Sequence, residues 1–558
     1  MASGTLELVR IKGLPPGTDE FETRRAAISK EFARKVPSEL LLPSELITNP
    51  PNDVTNIPRT CGVLTDQEIE VTESYDAVAL ADVVASRRLT AVEVTTAFAK
   101  RSMIAHQLTC CLTQWFMDEA LHRAKELDDY LEKHGKPIGP LHGVPISIKE
   151  HIPVAGTYSS QGSLSSTVLD KEDSHMVSIL RAAGAIFYCK TNQPQAVMHL
   201  ESTSHYGRTL NPFNLNLSAG GSTGGEAALL AMRGSVLGVG TDIGGSIRGP
   251  SAFCGIYGFK ATSETLPMKG FLANPFAAEL NISCSTGPMC SSLRDMDLFI
   301  HVLHKSQPWL LDPSLVPIPW TGLSTHLSKP LKIGIIEDDG FIVPQPPVRR
   351  VIEWAKLKLI NPELSSVLNI KPFQPYGAEN AWRKIRRMYW PDGGAVTKAA
   401  IQVSGEPILP LSDQVWSDAE PFGMLNAEEI NQLRFQRDQF RHAFSDSWNE
   451  QDVDIVLGPA FVGPACAHDT AFYWTYTSLY NYVDYPAAVV PTPVRARKEE
   501  NYPESYTPLS VECEHVRKLW SEGSFEGAPI NLQIVARRHH DNLLFGALEL
   551  LRPILDLP

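Results

Sequence analysis

The chain has 558 residues, of which 43% are hydrophobic, and it carries a formal net charge of −13 at pH 7. A general nucleic-acid binder usually carries the opposite charge, so this class is disfavoured. No stretch reaches the roughly 18 uninterrupted apolar residues of a membrane span, and residues 1–30 hold no apolar core of a signal peptide. We therefore expect a cytoplasmic protein without a membrane span.

Nine cysteines are scattered along the chain, and none of them forms a CxxC pair. The odd count and the irregular spacing argue against a disulfide framework and against a zinc site. We therefore expect buried free thiols and no bound metal.

The first part of the chain divides into a polar arm and a helical stretch. Residues 1–75 are rich in proline and weakly periodic, and we interpret them as an N-terminal arm of short helices and loops. Residues 76–134 show the apolar spacing of helices, which Gly135 ends. We expect residues 76–558 to form a single domain, because strand and helix patterns continue on both sides of a central glycine-rich segment.

Strands and helices then alternate. Residues 144–149 alternate apolar and polar side chains, as a strand does. A helix is predicted at 175–183 with a strand at 185–189, and a second helix at 226–233 with a strand at 235–240. This alternation predicts an α/β fold.

The remaining elements continue this pattern. Helices are predicted at 351–360 and 427–444, and a strand at 530–536. A final helix follows, for which Asp541 is the predicted N-cap because its carboxylate is suited to accept from the free amides of a first turn.

Two glycine-rich segments, at 218–226 and 240–248, each contain one serine of interest, Ser222 and Ser246. Glycine loses the most conformational entropy on folding, so this density marks backbone that turns sharply or approaches a ligand closely. The two segments are therefore the candidate functional region.

Two familiar motifs match this region poorly. Residues 238–243 begin like the GxGxxG dinucleotide motif, but Ile243 stands at the sixth position. Residues 220–224 satisfy GxSxG, the nucleophile elbow of α/β-hydrolases, which requires a strand leading directly into the serine. The preceding residues 211–219 contain a proline and three asparagines, and we interpret them as a loop.

A third interpretation uses both serines and a lysine. Ser246 follows a predicted strand, and the consecutive backbone N–H groups around it suit an oxyanion hole. A serine hydroxyl needs a base to become a nucleophile. Ser222 can relay the proton to Lys149, on the polar face of the strand at 144–149, if burial keeps that lysine neutral.

These residues resemble the motifs of the amidase signature family, whose members are Ser–Ser–Lys amide hydrolases. The resemblance runs from about residue 75 to the end, and two segments are similar to the fungal acetamidase-like branch. The matching blocks are 139–150 (lysine motif), 220–226 (bridging serine), 240–248 (nucleophile), 255–262, 287–289 and 529–537, with 391–394 and 481–488 for the fungal branch.

The resemblance implies a large mixed β-sheet sandwiched between α-helices, and a role for each motif residue. Lys149 is implied to be the base, Ser222 the bridge after a cis peptide bond, and Ser246 the acylated nucleophile. No cofactor or metal is implied. The implied substrate-binding residues are Ser222 together with the backbone of an oxyanion hole at Ile243, Gly244, Gly245 and Ser246.

Several neighbours of these residues have implied or open roles. Thr223, Asp242 and Arg248 are implied supports, and Arg248 is equally well interpreted as a plain ion-pair partner of Asp242. The histidines near the motifs are expected to be structural or to line the pocket, since the relay needs none. These histidines are His142, His151, His199 and His205. The sequence departs from the family pattern at three places, with Thr223 for serine, Glu150–His151 for Asp-Asn, and Asp484 for glycine.

The leading function is therefore hydrolysis of small carboxylic acid amides, with carbamates and esters as further candidates. The alternative is an amidotransferase subunit that acts in a complex on aminoacyl-tRNA, and a third is an inactive binding protein. We expect a small-molecule amide as the partner, no nucleic acid and no membrane span, and the sequence leaves a homodimer open.

Overall fold

Eleven strands form one sheet in the computed structural model, which describes residues 6–272, 281–328 and 330–558. Within these ranges the strands are β1 (Leu112–Trp115), β2 (Pro145–Lys149), β3 (Tyr158–Ser159), β4 (Val168–Leu169), β5 (Ile186–Thr191), β6 (Thr203–Ser204), β7 (Gly207–Arg208), β8 (Leu210–Asn211), β9 (Asn214–Ser218), β10 (Leu237–Asp242), β11 (Tyr257–Lys260), β12 (Ser285–Cys290), β13 (Leu331–Ile335), β14 (Leu368–Pro372), β15 (Ile455–Pro459), β16 (Ala487–Val490) and β17 (Leu532–Ala536).

Several α-helices of the same ranges pack on strands of this sheet. The α-helices in these ranges are α1 (Asp19–Arg34), α2 (Ser44–Thr48), α3 (Ile57–Thr60), α4 (Asp66–Ser74), α5 (Ala77–Ala85), α6 (Ala91–Thr109), α7 (Met117–His134), α8 (His175–Ala182), α9 (Gly224–Ala231), α10 (Arg248–Cys254), α11 (Leu293–Lys305), α12 (Pro346–Leu359), α13 (Ala378–Tyr389), α14 (Ala395–Gln402), α15 (Pro410–Trp416), α16 (Ala427–Gln451), α17 (Thr475–Tyr482), α18 (Val511–Glu522) and α19 (Asp541–Leu551).

The sheet is mixed, with the strand order β1-β5-β2-β10-β12-β11-β16-β17-β15-β13-β14. Strands β5, β2 and β10 are parallel, and so are β15, β13 and β14. The pairs that connect these two groups are antiparallel. The predicted α/β class with a large mixed sheet is confirmed.

The middle of the sheet is covered on both faces. Every residue of β2 and of β10 is buried, as is typical of parallel strands that lie between helices. The predicted alternation in β2 is present, but its polar face points into the protein and not to water, since Ser147 and Lys149 are fully buried. A buried polar face requires partners, and these define the site described below.

Most element boundaries follow local signals. Helix α7 ends at Gly135, whose φ of +68° suits glycine in a C-cap, and α6 begins with a capping box between Thr90 and Glu93. Helix α16 continues to Gln451, beyond the predicted end at residue 444.

The interpretation of residues 211–219 as a loop was wrong. Strands β8 and β9 form a hairpin there, because Leu215 and Leu217 are buried while Asn216 between them is exposed. Asn216 thus takes the exposed position of β9, whereas Asn211 and Asn214 are buried and their side-chain amides donate to backbone carbonyls. Strand β9 ends at Ser218 and does not run directly into Ser222.

The prediction of Asp541 as an N-cap was also wrong. Asp541 is the first residue of α19, and the N-cap position belongs to His540. The Asp541 carboxylate instead accepts hydrogen bonds from the amide and the hydroxyl of Thr262, at 2.9 and 2.6 Å. The partner of this carboxylate is therefore a residue distant in sequence, Thr262, which the local sequence does not reveal.

The N-terminal segment is tied to the rest of the chain by hydrogen bonds. The Leu42 amide donates to Oε1 of Gln107 at 2.8 Å, and the Val54 amide donates to the Pro212 carbonyl at 2.9 Å. Across the described residues, no helix is both long and apolar enough to cross a membrane.

Candidate active site

Lys149 occupies the end of β2, beside the parallel strand β10. Ile148 lies opposite Val239 of β10, so the carboxyl ends of the two strands meet at the same edge of the sheet. The Lys149 Nζ atom lies 2.6 Å from Oγ of Ser222 and 3.1 Å from Oγ1 of Thr241. Two of the predicted site residues are therefore in direct contact.

The environment of Lys149 favours its neutral form. Burial removes water from the amine and lowers the pKa of Lys149 from 10.5 to about 7, although Cys284, Asp242 and Glu150 oppose this shift. Desolvation disfavours the charged form of a lysine. At neutral pH a large fraction of this amine therefore carries a free lone pair, as a base requires.

The two serine-bearing turns lie side by side. The amide of Thr223 donates to the carbonyl of Ser246 at 3.1 Å, and Ser222 and Ser246 are both buried. The peptide bond between Gly221 and Ser222 is cis, as the resemblance implied. A Cβ on Gly221 would lie 2.3 Å from the carbonyl oxygen of His199, so the turn requires glycine there.

A buried carboxylate holds the Ser246 turn. Asp242 accepts hydrogen bonds from the amides of Gly245 at 2.8 Å and Ile247 at 3.1 Å, and from Nε of Arg248 at 3.0 Å. Burial alone raises the pKa of Asp242, but the charge and hydrogen bonds of Arg248 outweigh it and hold this pKa well below its usual range. The interpretation of Arg248 as the ion-pair partner of Asp242 is confirmed.

One amide of the implied oxyanion hole has a hydrogen-bond partner inside the protein. The Gly245 amide is engaged by Asp242, whereas among the described residues the amides of Ile243, Gly244 and Ser246 donate to no other group. Gly245 instead supplies conformation, since its φ is +134° and a Cβ there would lie 2.2 Å from Oγ1 of Thr477.

Residues from distant parts of the chain brace this turn, and the sequence did not reveal them. The Tyr389 hydroxyl donates to the Ile243 carbonyl, and the Thr477 hydroxyl donates to the Gly244 carbonyl, both at 2.7 Å. Thr241, which contacts Lys149, was also missing from the predicted site. It had a local signal, because it is a polar residue directly before Asp242 in β10, whose other residues are leucine, glycine and valine.

The departure at Asp484 has a structural explanation. Its φ is +58°, a conformation that glycine adopts without strain. Its buried carboxylate accepts from the Ser263 amide at 3.0 Å and pairs with Arg538 at 2.9 Å. This residue therefore joins loops of the fold.

Comparison with known proteins agrees with this geometry. A family model described as Amidase matches residues 93–545. A putative amidase of Schizosaccharomyces pombe, C550.07, is 41% identical over 514 residues, which cover 91% of this chain and 94% of that protein. An acetamidase of Emericella nidulans is 34% identical over 543 residues, or 94% of this chain and 96% of that protein.

Solved structures give the same result. A fatty acid amide hydrolase superposes with a TM-score of 0.85 at 32% identity, over 96% of this chain and 94% of that chain. These relatives support hydrolysis of amides and do not favour the amidotransferase alternative. The chain therefore belongs to the amidase family, the amidase signature hydrolases that act on amide bonds.

Proposed function

We propose that this amidase hydrolyses carboxylic acid amides through an acyl-enzyme on Ser246, with Ser222 as proton shuttle and Lys149 as base. The observation that carries the proposal is the 2.6 Å contact between Lys149 Nζ and Ser222 Oγ. In that buried position a neutral amine can take the proton of the Ser222 hydroxyl, which is then able to take the proton of Ser246.

Acylation follows from this arrangement. Oγ of Ser246 attacks the carbonyl carbon of the amide, while its proton passes to Ser222 and the Ser222 proton passes to Lys149. The carbonyl oxygen becomes negatively charged, and the free amides of Ile243, Gly244 and Ser246 donate to it. Each such donor is typically worth about 100- to 1000-fold in rate.

Release of the leaving group and deacylation return the protons to their starting positions. The Lys149 ammonium gives its proton through Ser222 to the leaving nitrogen, the carbon–nitrogen bond breaks, and ammonia or an amine departs. Water then attacks the ester carbon on Ser246 and loses a proton through Ser222 to Lys149. The ester carbon–oxygen bond breaks, the relay returns this proton to Oγ of Ser246, and the carboxylic acid is released. The free enzyme is restored, with no change in oxidation state.

The substrate is proposed from the relatives' names, which range from acetamidase to fatty acid amide hydrolase. We propose short aliphatic and aryl amides as the main class, with carbamates and esters of similar size also accepted. A panel of acyl lengths and leaving groups measures this preference directly.

The experiment that tests the function uses the purified protein alone. We expect it to release ammonia or amine from short amides without glutamine, RNA or partner subunits. Ser246→Ala should abolish the release, whereas Ser251→Ala, which removes a buried hydroxyl on α10, should keep it. Undiminished release by Ser246→Ala would refute the proposed nucleophile.

Three expectations from the sequence remain proposals. We propose that residues 76–558 form one catalytic domain with 1–75 as an arm, that the protein is cytoplasmic, and that it forms a homodimer. The nine cysteines, all free thiols, are typical of a reducing compartment. Truncation after residue 75, cell fractionation and light scattering test these three points separately.

A further inference from the structure

A row of buried polar side chains lies behind Lys149, and the proposed relay does not use it. Thr241 Oγ1 contacts Lys149 Nζ at 3.1 Å and Nε2 of His151 at 3.4 Å. The other ring nitrogen of His151 lies 2.7 Å from Oε1 of Gln193. All of these side chains are buried, so each hydrogen bond has few competitors and its direction can be worked out.

The orientation of Gln193 is fixed by its other neighbours. Its amide nitrogen donates to the carbonyl of Ser160 at 3.0 Å and to Oε2 of Glu150 at 2.6 Å. A backbone carbonyl can only accept, so the nitrogen must face Ser160 whether or not Glu150 carries a proton. The amide oxygen of Gln193 therefore faces His151.

This oxygen fixes the tautomer of His151. An amide oxygen only accepts, so Nδ1 of His151 must carry the proton that it shares with Gln193. Burial is the main cause that lowers the pKa of His151 to about 3; Lys149 when protonated and Lys190 act in the same direction, and the hydrogen bond with Gln193 opposes the shift. The ring is consequently neutral, and its Nε2 presents a lone pair to Thr241.

The tautomer of His151 determines the direction of the hydrogen bond between Thr241 and Lys149. A threonine hydroxyl has one proton. Thr241 donates it in the hydrogen bond to Nε2 of His151, so the Thr241 oxygen presents a lone pair to Lys149. An N–H of the neutral amine donates to that lone pair. The lone pair of Lys149 is thereby kept for the hydroxyl of Ser222.

We propose that Gln193, His151 and Thr241 form a one-way chain of hydrogen bonds that aims the lone pair of Lys149 at Ser222. They are positioning residues, and the proposal rests on the proposed function, because it takes Lys149 to be the base. Without His151 the Thr241 hydroxyl is free to donate to Lys149 and to compete with Ser222 for the same lone pair.

The surrounding charges leave this direction unchanged near neutral pH. Burial raises the pKa of Glu150 to about 7, with Lys190 opposing the shift, so Glu150 titrates there. Lys190 itself is paired with Asp170 at 2.9 Å. Ser160 fixes Gln193 in either state of Glu150, and the chain therefore keeps its direction.

The first test removes the Thr241 hydroxyl. Thr241→Val keeps the volume of the side chain, and we expect kcat to fall about tenfold, the worth of one well-placed hydrogen bond, with KM unchanged. The acid limb of the pH profile should move to lower pH, since the lysine ammonium has lost an acceptor. Thr241→Ser, which keeps the hydroxyl, should restore both values.

The second test removes the acceptor on His151. His151→Phe should lower kcat, and His151→Gln, whose amide oxygen can accept from Thr241, should recover most of it. In the double variant Thr241→Val/His151→Phe the loss should be no larger than in Thr241→Val, because the competing hydroxyl is gone. Additive losses would contradict the chain.

Failure of this inference is separable from failure of the proposed function. Wild-type kcat and pH profile in Thr241→Val, or an equal loss in Thr241→Val and Thr241→Ser, would overturn the chain while Ser246→Ala remains inactive. Activity in Ser246→Ala would instead overturn the relay, and the chain with it.

Discussion

Nζ of Lys149 lies 2.6 Å from Oγ of Ser222, and neither residue is more than 1% exposed. A lysine in water is almost wholly protonated at neutral pH and cannot act as a base. The burial that lowers the pKa of Lys149 to about 7 is therefore the physical condition for the whole relay.

The first prediction concerns pH. The neutral form of Lys149 is the active one, so kcat/KM, which reports groups of the free enzyme, should fall as pH drops and rise to a plateau above a midpoint near 7. The profile of kcat/KM from about pH 5 to about pH 9 measures this, with circular dichroism as a control for folding. A flat profile, or activity that still rises without a plateau at the upper end of this range, as the ordinary lysine value of 10.5 would give, would contradict a buried neutral lysine.

The second prediction concerns the buried ion pair of Asp242 and Arg248. Arg248→Met leaves the Asp242 carboxylate buried without its cation, and the free energy of unfolding should fall by about 3–5 kcal/mol. Arg552→Gln is the control, because Arg552 pairs with Glu549 at the surface and such pairs contribute about 0–1 kcal/mol. Equal effects of the two substitutions in urea unfolding would show that the buried pair is unimportant.

The third prediction concerns the Gly245 turn. A Cβ at Gly245 would overlap Thr477 and displace the amides of Gly244 and Ser246, so Gly245→Ala should lower kcat by about 100-fold or more. Gly135→Ala is the matched control. It also has a positive φ, of +68°, but open space around its Cβ, so it should keep kcat and lose about 1–2 kcal/mol of stability.

Local sequence predicted much of the fold and the three proposed catalytic residues. The alternation at 144–149 identified β2, and glycine density around Ser222 and Ser246 identified the two turns. These signals are local, because strand alternation and glycine conformation depend on neighbouring residues. Asn211–Ser218 shows the limit, since burial of two leucines outweighed the polar character of the segment.

The missing parts of the site are contacts between distant segments. Tyr389 reaches the carbonyl of Ile243 from α13, and Gln193 reaches His151 from beyond β5. Asn481, on α17, donates to Asp242 at 2.9 Å. No periodicity or motif encodes such pairings, which arise only when the strands and helices have assembled.

The most direct test of the central claim is to identify the serine that is covalently trapped. The pure enzyme is treated with a fluorophosphonate and digested, and the masses of its peptides are measured by mass spectrometry. We predict an adduct on the peptide of Ser246, lost in Ser246→Ala and formed more slowly in Ser222→Ala. An adduct on Ser222, or continued labelling of Ser246→Ala at the wild-type rate, would contradict the assignment.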